Sequence, residues 1–408
     1  MAKKSELPFS SVFRLLQVLI CLSILSTFVT AQDGVTAEDG LLVNGNFEKE
    51  GIENRTSRAG DIDSLPGWNI DGMVEYINEG QKQGSMYLVV PEGKHAVRLG
   101  NEAQISQQIN IQKGSTYSLT FSAARTCAQL ESLNVSVPPS TRNVDLQTLY
   151  SIYGWDTYAW AFQAQSENVE VIFQNPGMEE DPTCGPILDA IALKQISTPD
   201  KLRDNAVING DFEEGPWMFA NETLGVLLPT NLDVATSSLP GWIMESSKAV
   251  RYIDSNHYKV PEGKRAIELL SGKEGIISQM VETDPGNKYT MSFLLGQAGD
   301  GCQEPMAVMA FAGDQADSFH FNNPPANGIY EPNNVTFTAK AARTRIAFYS
   351  LYYNTRVRDR SSLCGPVIDL VKVVDLSKSG TVAGFSGFSV SLLLLVSVLT
   401  MAFTLGSL

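Results

Sequence analysis

Hydrophobic and polar residues alternate with a period of two along much of the chain. In the segment YSLTFSA, Tyr117, Leu119 and Phe121 alternate with small polar residues, and similar runs recur at 168–173, 335–338 and 345–349. Short runs of this kind, separated by Gly, Pro and Asn, are typical of strands in a sandwich or barrel. Long stretches with the 3.6-residue period of a helix are absent from 41–376. The pattern predicts an all-β protein built as an antiparallel jelly-roll β-sandwich.

The first residues break this pattern with an unbroken apolar run. Lys3, Lys4 and Arg14 precede LLQVLICLSILSTF at 15–28, and small residues follow up to Ala31. A basic start, a short apolar core and small residues at its end indicate a secretory signal peptide. A membrane anchor helix, the alternative, would need a longer apolar span. We therefore expect residues 1–31 to be removed and the protein to be secreted.

A second apolar run, FSVSLLLLVSVLTMAFTL at 388–405, follows the last charged residue, Lys378. Small residues and a short spacer precede it, an order typical of a glycosylphosphatidylinositol (GPI) anchor signal. The sequence predicts attachment at Ser379, with Ser377 as second choice, and loss of 380–408. The alternative is an uncleaved transmembrane helix, although the basic residues expected on its cytoplasmic side are missing. The expected location is the outer face of the plasma membrane and the cell wall.

The central part of the sequence contains two copies of one pattern. Four motif pairs occur in the same order: LLVNGNFEKE with AVINGDFEEG, SLPGW with SLPGW, VPEGKHAVRL with VPEGKRAIEL, and CGPILD with CGPVID. Such a series excludes chance. It predicts two tandem β-sandwich domains at 41–196 and 206–376, joined by a short polar linker at 197–205.

Four cysteines remain after the signal peptide, together with its Cys21, is removed. An even number of cysteines in a secreted protein indicates disulfides. The pairing that respects the duplication is Cys127 with Cys184 and Cys302 with Cys364. Pairing between the domains is the alternative, and it would require a coincidence in both halves.

The formal net charge of −15 makes the chain a poor partner for nucleic acid or anionic lipid surfaces. Four Asn-x-Ser/Thr sequons predict a glycoprotein, and their acceptors are Asn54, Asn134, Asn221 and Asn334.

The ordered series NG(N/D)FE, LPGW, VPEGK, GWD and CGPxxD resembles the plant cell-wall family "domain of unknown function 642" over 41–376. The resemblance implies two tandem galactose-binding-like jelly rolls, akin to carbohydrate-binding modules. It also implies an extracellular protein that binds wall polysaccharide, pectin or cellulose, and has a link to pectin methylesterases. Many relatives lack a hydrophobic tail, so the tail of this chain suggests tethering at the plasma membrane.

Repeated carboxylates suggest one site in each domain. In jelly-roll carbohydrate modules, the first and last strands lie close together, and a structural Ca²⁺ often joins them. Oxygen ligands suit Ca²⁺, and the candidate side chains are Glu48 and Asp189 in the first copy and Glu213 and Asp369 in the second. The alternative is that these residues only accept hydrogen bonds. No cofactor is otherwise required.

Aromatic clusters suggest where a glycan would bind. Tyr150, Tyr153 and Trp155 precede or begin a predicted strand in the first copy. Tyr352 and Arg356 lie in FYSLYYNTRVRDR of the second copy, where arginine could grip the carboxylate of a uronic acid. The alternatives are a core role for the Trp and a solvated loop for the Tyr-Arg segment. The Trp of each LPGW is expected in the core.

Nothing in the sequence indicates an enzyme. The three His residues have no metal-ligand spacing, and a Gly-x-Ser-x-Gly motif is absent. The sequence therefore predicts a non-catalytic, anchored carbohydrate-binding protein. The alternative is a regulatory scaffold whose acidic surface attracts a basic wall enzyme such as pectin methylesterase.

Overall fold

A computed structural model describes residues 40–378, except for gaps at 50–51, 54–61, 84–85, 89, 128–130, 147–154, 178–180, 182–183, 203, 217–224, 246–249, 271, 322–329, 359 and 361–363. Both predicted terminal segments, Tyr150, Tyr153, Asn54, Asn221 and Ser379 lie outside the described residues. Within the described part the protein is all-β, and no helix there is long and apolar enough to cross a membrane.

The first repeat supplies fourteen of the described strands. They are β1 (Ile52–Glu53), β2 (Ile62–Ser64), β3 (Asn69–Asp71), β4 (Val74–Asn78), β5 (Lys82–Gln83), β6 (Met86–Tyr87), β7 (His95–Leu99), β8 (Gln104–Asn110), β9 (Thr116–Ala124), β10 (Glu131–Val137), β11 (Ser140–Leu146), β12 (Asp156–Gln163), β13 (Asn168–Gln174) and β14 (Ile187–Ile196).

The second repeat supplies the rest of the described strands and two 3₁₀ turns, Val234–Thr236 and Gly272–Glu274. The strands are β15 (Val226–Leu227), β16 (Ile243–Met244), β17 (Val250–Asp254), β18 (Arg265–Leu269), β19 (Ile276–Glu282), β20 (Lys288–Gln297), β21 (Met306–Ala312), β22 (Gln315–Phe321), β23 (Tyr330–Thr338), β24 (Arg343–Ser350) and β25 (Pro366–Asp375).

Each repeat folds as a sandwich of two sheets. The first small sheet has the order β11-β10-β13-β8-β3, and the second small sheet has the matching order β22-β21-β24-β19-β16. Each packs against one half of a large sheet of eleven strands, ordered β23-β20-β25-β18-β17-β15-β12-β9-β14-β7-β4. The described strands of each repeat pair with one another in antiparallel fashion, so the prediction of two tandem antiparallel jelly rolls is confirmed.

Each sandwich encloses an aromatic core. Phe121 and Phe173 meet edge to face in the first core, with ring centroids 5.2 Å apart. Phe293 and Phe348 form the matching contact in the second core at 4.9 Å. Both LPGW tryptophans, Trp68 and Trp242, are buried in these cores, as expected. The alternating pattern of the sequence therefore records which residues face the partner sheet.

The two sandwiches share the large sheet. The short strand β15 joins them: Leu227 pairs in parallel with Tyr158 of β12, and Val226 pairs antiparallel with Tyr252 of β17. Ala159 of β12, only 1% exposed, packs into the second core, whereas its neighbour Tyr158 packs into the first. Since successive strand residues point to opposite faces, the two cores lie on opposite faces of the large sheet.

Two covalent links and two buried ion pairs repeat between the halves. The disulfides join Cys127 to Cys184 and Cys302 to Cys364, the pairing that the duplication predicts.

The buried ion pairs exchange their charges between repeats. Glu75 of β4 pairs with Arg98 of β7 in the first repeat, and Arg251 of β17 pairs with Glu268 of β18 in the second. The four residues occupy matching register positions. At this register position each repeat thus keeps a buried ion pair, but with the acid and the base on opposite strands.

Candidate functional site

The repeated motifs of the first half meet at the loop VPEGK. Oε1 of Glu48 accepts hydrogen bonds from the backbone N–H groups of Lys94 at 2.6 Å and His95 at 2.9 Å. From the other side, Oδ2 of the buried Asp189 accepts one from the N–H of Glu92 at 3.1 Å. Two carboxylates, one from NGNFE and one from CGPILD, therefore fix the conformation of the third motif.

The second half repeats this arrangement. Oε1 of Glu213 accepts from the N–H groups of Lys264 and Arg265 at 2.6 and 3.1 Å, and Oδ2 of Asp369 accepts from Glu262 at 2.9 Å. We call each such set of contacts a carboxylate clamp. Because both copies are intact, the most visible motifs of the sequence serve the fold.

Glycine is required at the centre of each clamp. Gly93 and Gly263 have φ angles of +64° and +62°, a region that residues with a Cβ rarely adopt. A Cβ at Gly93 would lie 2.2 Å from Oε1 of Glu48, and one at Gly263 would lie 2.2 Å from Oε1 of Glu213. The invariant spacing of VPEGK between the copies follows from this close approach.

The clamps bear on the predicted calcium sites. Burial raises the pKa of Asp189 well above its usual value and raises the pKa of Asp369 to about 8. Among the described residues, the clusters of three ligand-type side chains contain disulfide cysteines instead. The hydrogen bonds that both aspartates accept from backbone N–H groups are what the hydrogen-bonding alternative expects. Calcium binding stays a prediction, tested by thermal melts with and without EGTA.

The outer surfaces of the two small sheets differ in chemistry. In each sheet, the side chains that alternate with core residues point away from the large sheet. On the first small sheet most of these positions are polar, with Ile172 as an exception, and the polar ones include Asn69, Gln104, Asn134, Ser136 and Gln174. The positions that match them in strand pairing on the second small sheet are Ile243, Ile276, Met309, Phe311 and Tyr349. We call these five partly exposed residues the apolar face.

Aromatic rings run across the apolar face and beyond its end. The rings of Phe311 and Tyr349 lie 5.5 Å apart, tilted by 35°. Tyr352, 38% exposed, follows β24, and its ring centroid lies 6.1 Å from the imidazole of His320. Tyr353 is 62% exposed. Partly exposed rings on a rigid sheet form a surface against which a flat apolar ligand can pack.

A charged pair lies beside these rings. Nη2 of Arg345 contacts both carboxylate oxygens of Glu245 at 2.7 Å, and Oγ of Ser278 donates to Oε1 of Glu245 at 2.5 Å. Although partial burial alone would raise it, these hydrogen bonds lower the pKa of Glu245. The side chains of Glu245 and Arg345 are 24% and 42% exposed, so this edge of the apolar face presents fixed hydrogen-bonding groups to solvent.

Comparison with known proteins identifies the family. The family model described as "Protein of unknown function (DUF642)" matches residues 40–194 and 205–374. The chain belongs to the DUF642 family. Among its relatives in Arabidopsis thaliana, Protein DUF642 L-GALACTONO-1,4-LACTONE-RESPONSIVE GENE 2 is 47% identical over 361 residues, which cover 87% of this chain and 96% of the relative. Protein TEEBE is 47% identical over 337 residues, covering 82% and 91%.

Among solved structures, this DUF642 chain is similar to the N-terminal CBM22-1-CBM22-2 tandem domain of Paenibacillus barcinonensis Xyn10C. The match covers 76% of this chain and 94% of that one, at 10% identity and a TM-score of 0.26. Values this low support no conclusion about function.

In this DUF642 protein, two of the predicted glycan-binding residues are not open to a ligand. Trp155 is 5% exposed and belongs to a buried cluster with Ile77, Leu88, Val90, Ala96, Ala124 and Ile187. The side chain of Arg356 is 11% exposed, and its Nη2 donates to Asp300 at 2.9 Å. For Trp155 the structure favours the core alternative. For Arg356 it corrects the expectation of a uronic-acid ligand, because the guanidinium belongs to an internal charge network.

The sequence interpretation missed the apolar face, although a signal for it exists. Strand β10 reads ESLNVSV, with polar residues at every second position, whereas the matching strand β21 reads MAVMAFA, apolar on both faces. An apolar run of that length suggests a strand buried on both sides. Only the comparison of the two copies, position by position, shows that the second copy has gained apolar residues where the first is polar.

Proposed function

We propose that this DUF642 protein is a non-catalytic extracellular carbohydrate-binding protein, and that its apolar face binds a polysaccharide of the plant cell wall. The observation that carries the proposal is the asymmetry between the small sheets. Five polar outer positions of the first repeat are apolar in the second, on an otherwise matching scaffold. Partly exposed apolar residues that the fold itself does not require mark a binding surface.

The chemistry of the apolar face suits a sugar chain. Sugar rings present apolar C–H surfaces that pack on aromatic rings such as Phe311 and Tyr349. Their hydroxyl groups need hydrogen-bonding partners at the rim, and Glu245, Arg345 and His320 supply them. A largely apolar lining with a few placed polar groups is the usual composition of small-molecule sites.

The net charge of the protein favours cellulose over demethylated pectin as the ligand. With a net charge of −15, the protein is repelled by a polyanion such as demethylated pectin. A neutral, extended chain such as cellulose meets no such repulsion. We infer that cellulose is the better ligand and that pectin binds in its neutral, esterified form. The predicted signal peptide and GPI signal would place this binding at the outer face of the plasma membrane.

A depletion assay on insoluble cellulose, with matched variants, tests the proposal. F311A and Y349A should each weaken binding about tenfold, the change that corresponds to a loss of about 1.4 kcal/mol. The matched controls are S136A and Q174A, which alter the same positions of the first small sheet and should bind like the wild type. Equal binding by all four variants at unchanged melting temperature would refute the proposal.

A second candidate function rests on the strong negative charge. A chain with net charge −15 attracts a basic protein at long range, and pectin methylesterases are often basic. In this alternative the protein is a regulatory scaffold that binds the esterase. Capture of the esterase that weakens steeply with salt, and is unchanged in F311A and Y349A, would favour the scaffold. Salt-resistant retention on cellulose that these variants abolish would favour the carbohydrate-binding protein.

A further inference from the structure

The outer surface of the first small sheet carries a row of amide side chains. Strand pairing places four of them side by side at one register position: Asn143 of β11, Asn134 of β10, Gln174 of β13 and Gln104 of β8. All four are exposed or partly exposed, and Asp71 of β3 continues the row. Because neighbouring strands lie about 4.8 Å apart, the row from Asn134 to Asp71 spans about 14 Å.

Much of the hydrogen-bonding capacity of this amide row is unused within the described part of the chain. Nδ2 of Asn143 donates to Oδ1 of Asn134 at 3.0 Å, whereas Nδ2 of Asn134 has no partner among the described residues. The side-chain amides of Gln104 and Gln174 also have no partner there. Because an amide can both donate and accept, these groups can bind the hydroxyl groups of a sugar.

The amide row contains a point of attachment for a sugar chain. Asn134 begins the sequon Asn-Val-Ser, and an N-glycan is attached through the side-chain amide of the asparagine. The third residue of the sequon, Ser136, lies on the same face and pairs with Ile172, the apolar exception of this surface. The first sugar ring of a glycan would therefore have an apolar side chain beside it and the amide row ahead of it.

The corresponding position of the second repeat belongs to the apolar face. Met309 pairs with Tyr349 there, as Asn134 pairs with Gln174 in the first repeat. A glycan on Asn134 would thus cover the surface that matches the proposed polymer site. A sheet that lies under a flexible glycan has use for amide side chains that hydrogen-bond to it, and such side chains form most of the first outer surface.

We propose that an N-glycan on Asn134 lies along the amide row, so that the first small sheet binds the sugar chain of the protein itself. The hydroxyl and N-acetyl groups of the glycan hydrogen-bond to Gln174 and Gln104, and the apolar side of its first ring contacts Ile172. In this arrangement each chain offers one small sheet to the wall polymer, the sheet with the apolar face, because the other is already covered.

The rate at which an endoglycosidase removes the glycan from the folded protein tests the proposal. Endoglycosidase H reaches a glycan only when it has left the surface, so the cleavage rate follows the detached fraction. The full-length chain is expressed in a secretory eukaryotic host that leaves oligomannose glycans. Mass spectrometry should find Asn134 modified, and cleavage there should be at least tenfold slower in the folded protein than in the denatured protein.

The variant Q104A/Q174A removes two amides from the row and keeps the sequon. Cleavage at Asn134 should be about tenfold faster in this variant than in the wild type, a change that corresponds to about 1.4 kcal/mol. The matched control is N110A/N168A, which removes a pair of amides from the same two strands, six residues or about 20 Å further along. The control should be cleaved like the wild type.

Three results would overturn the proposal. The first is an unmodified Asn134 in the wild type, and the second is an equal cleavage rate in the wild type and in folded Q104A/Q174A. The third is an equal acceleration in N110A/N168A, since it would show a general loosening of the sheet. If the double variant folds poorly, Q104A alone decides the matter, with an expected acceleration of about threefold.

The endoglycosidase assay contains no polymer, so its outcome is independent of the polysaccharide-binding proposal. The variant S136A destroys the sequon and would remove the glycan. It should still bind cellulose like the wild type, because the apolar face lies on the other small sheet.

Discussion

Exchange of the charges in the buried ion pair of the first repeat should leave the protein folded, although either half of the exchange alone should destabilise it. Glu75 and Arg98 are 9% and 4% exposed at their side chains. The single changes E75R and R98E would each place two like charges in contact there. The double variant E75R/R98E restores an ion pair in the orientation that the second repeat already uses, with Arg251 on the first strand and Glu268 on the second.

The expected magnitude follows from the burial. Removal of one partner from a buried ion pair costs about 3–5 kcal/mol, because the remaining charge stays desolvated. Each single variant should lose at least that much free energy of unfolding. The neighbours of the pair can serve either orientation: Gln83 accepts from Arg98 at 3.0 Å and Gln81 donates to Glu75 at 3.2 Å, and an amide can both donate and accept. The double variant should therefore recover most of the loss.

Urea unfolding of the wild type, both single variants and the double variant gives the coupling energy from a double-mutant cycle. We expect a coupling of several kcal/mol in favour of the double variant, with the same denaturant slope throughout. A double variant whose loss equals the sum of the two single losses would refute the reasoning. It would show that the orientation of each pair depends on its own repeat.

Three further predictions concern stability. Because burial raises the pKa of Asp369 in the folded protein to about 8, the unfolded chain loses this proton at lower pH, and the free energy of unfolding should fall as pH rises from about 4 to 8. Thermal melts across this range should show a flatter pH dependence for D369N than for the wild type, and an identical slope would contradict the assignment. G93A should lower the free energy of unfolding by about 1–3 kcal/mol more than G114A, since both glycines have positive φ but only a Cβ at Gly93 would clash with the clamp. Equal losses of the two variants in urea unfolding would contradict this prediction. Replacement of Cys302 and Cys364 by serine opens a loop with a sequence separation of 62 and should lower the free energy of unfolding by about 4 kcal/mol. A loss below about 1 kcal/mol in urea unfolding would show that the disulfide does not stabilise the fold through chain entropy.

Local patterns in the sequence predicted much of the fold. Alternation in YSLTFSA fixed Tyr117, Leu119 and Phe121 as buried residues of β9, because strand periodicity is a property of a few neighbouring residues. The duplication predicted the disulfide pairing, since matching residues in two copies occupy matching places. The shared large sheet was not foreseeable, because β15 is only two residues long and two residues show no period.

The candidate site was harder to predict because it depends on contacts distant in sequence. The sequence predicted that Arg356 binds a ligand, but its side chain pairs with Asp300, which lies 56 residues away in the sequence. Met309 and Phe311 lie on a strand that is apolar throughout, and nothing local shows which face of such a strand meets solvent. Trp155 is buried by residues from several other strands. In each case tertiary packing decided the exposure.

Binding of the double variant F311S/Y349Q to insoluble cellulose tests the central proposal most directly. This variant gives the apolar face two of the residues that the first small sheet has at the matching positions, Ser136 and Gln174, so the scaffold is known to accept them. We predict a fall in affinity of about a hundredfold at an unchanged melting temperature. The matched control S136A/Q174A, at the same positions of the first small sheet, should bind like the wild type. Full retention of binding by the folded F311S/Y349Q protein would contradict the assignment of the apolar face as the polysaccharide site.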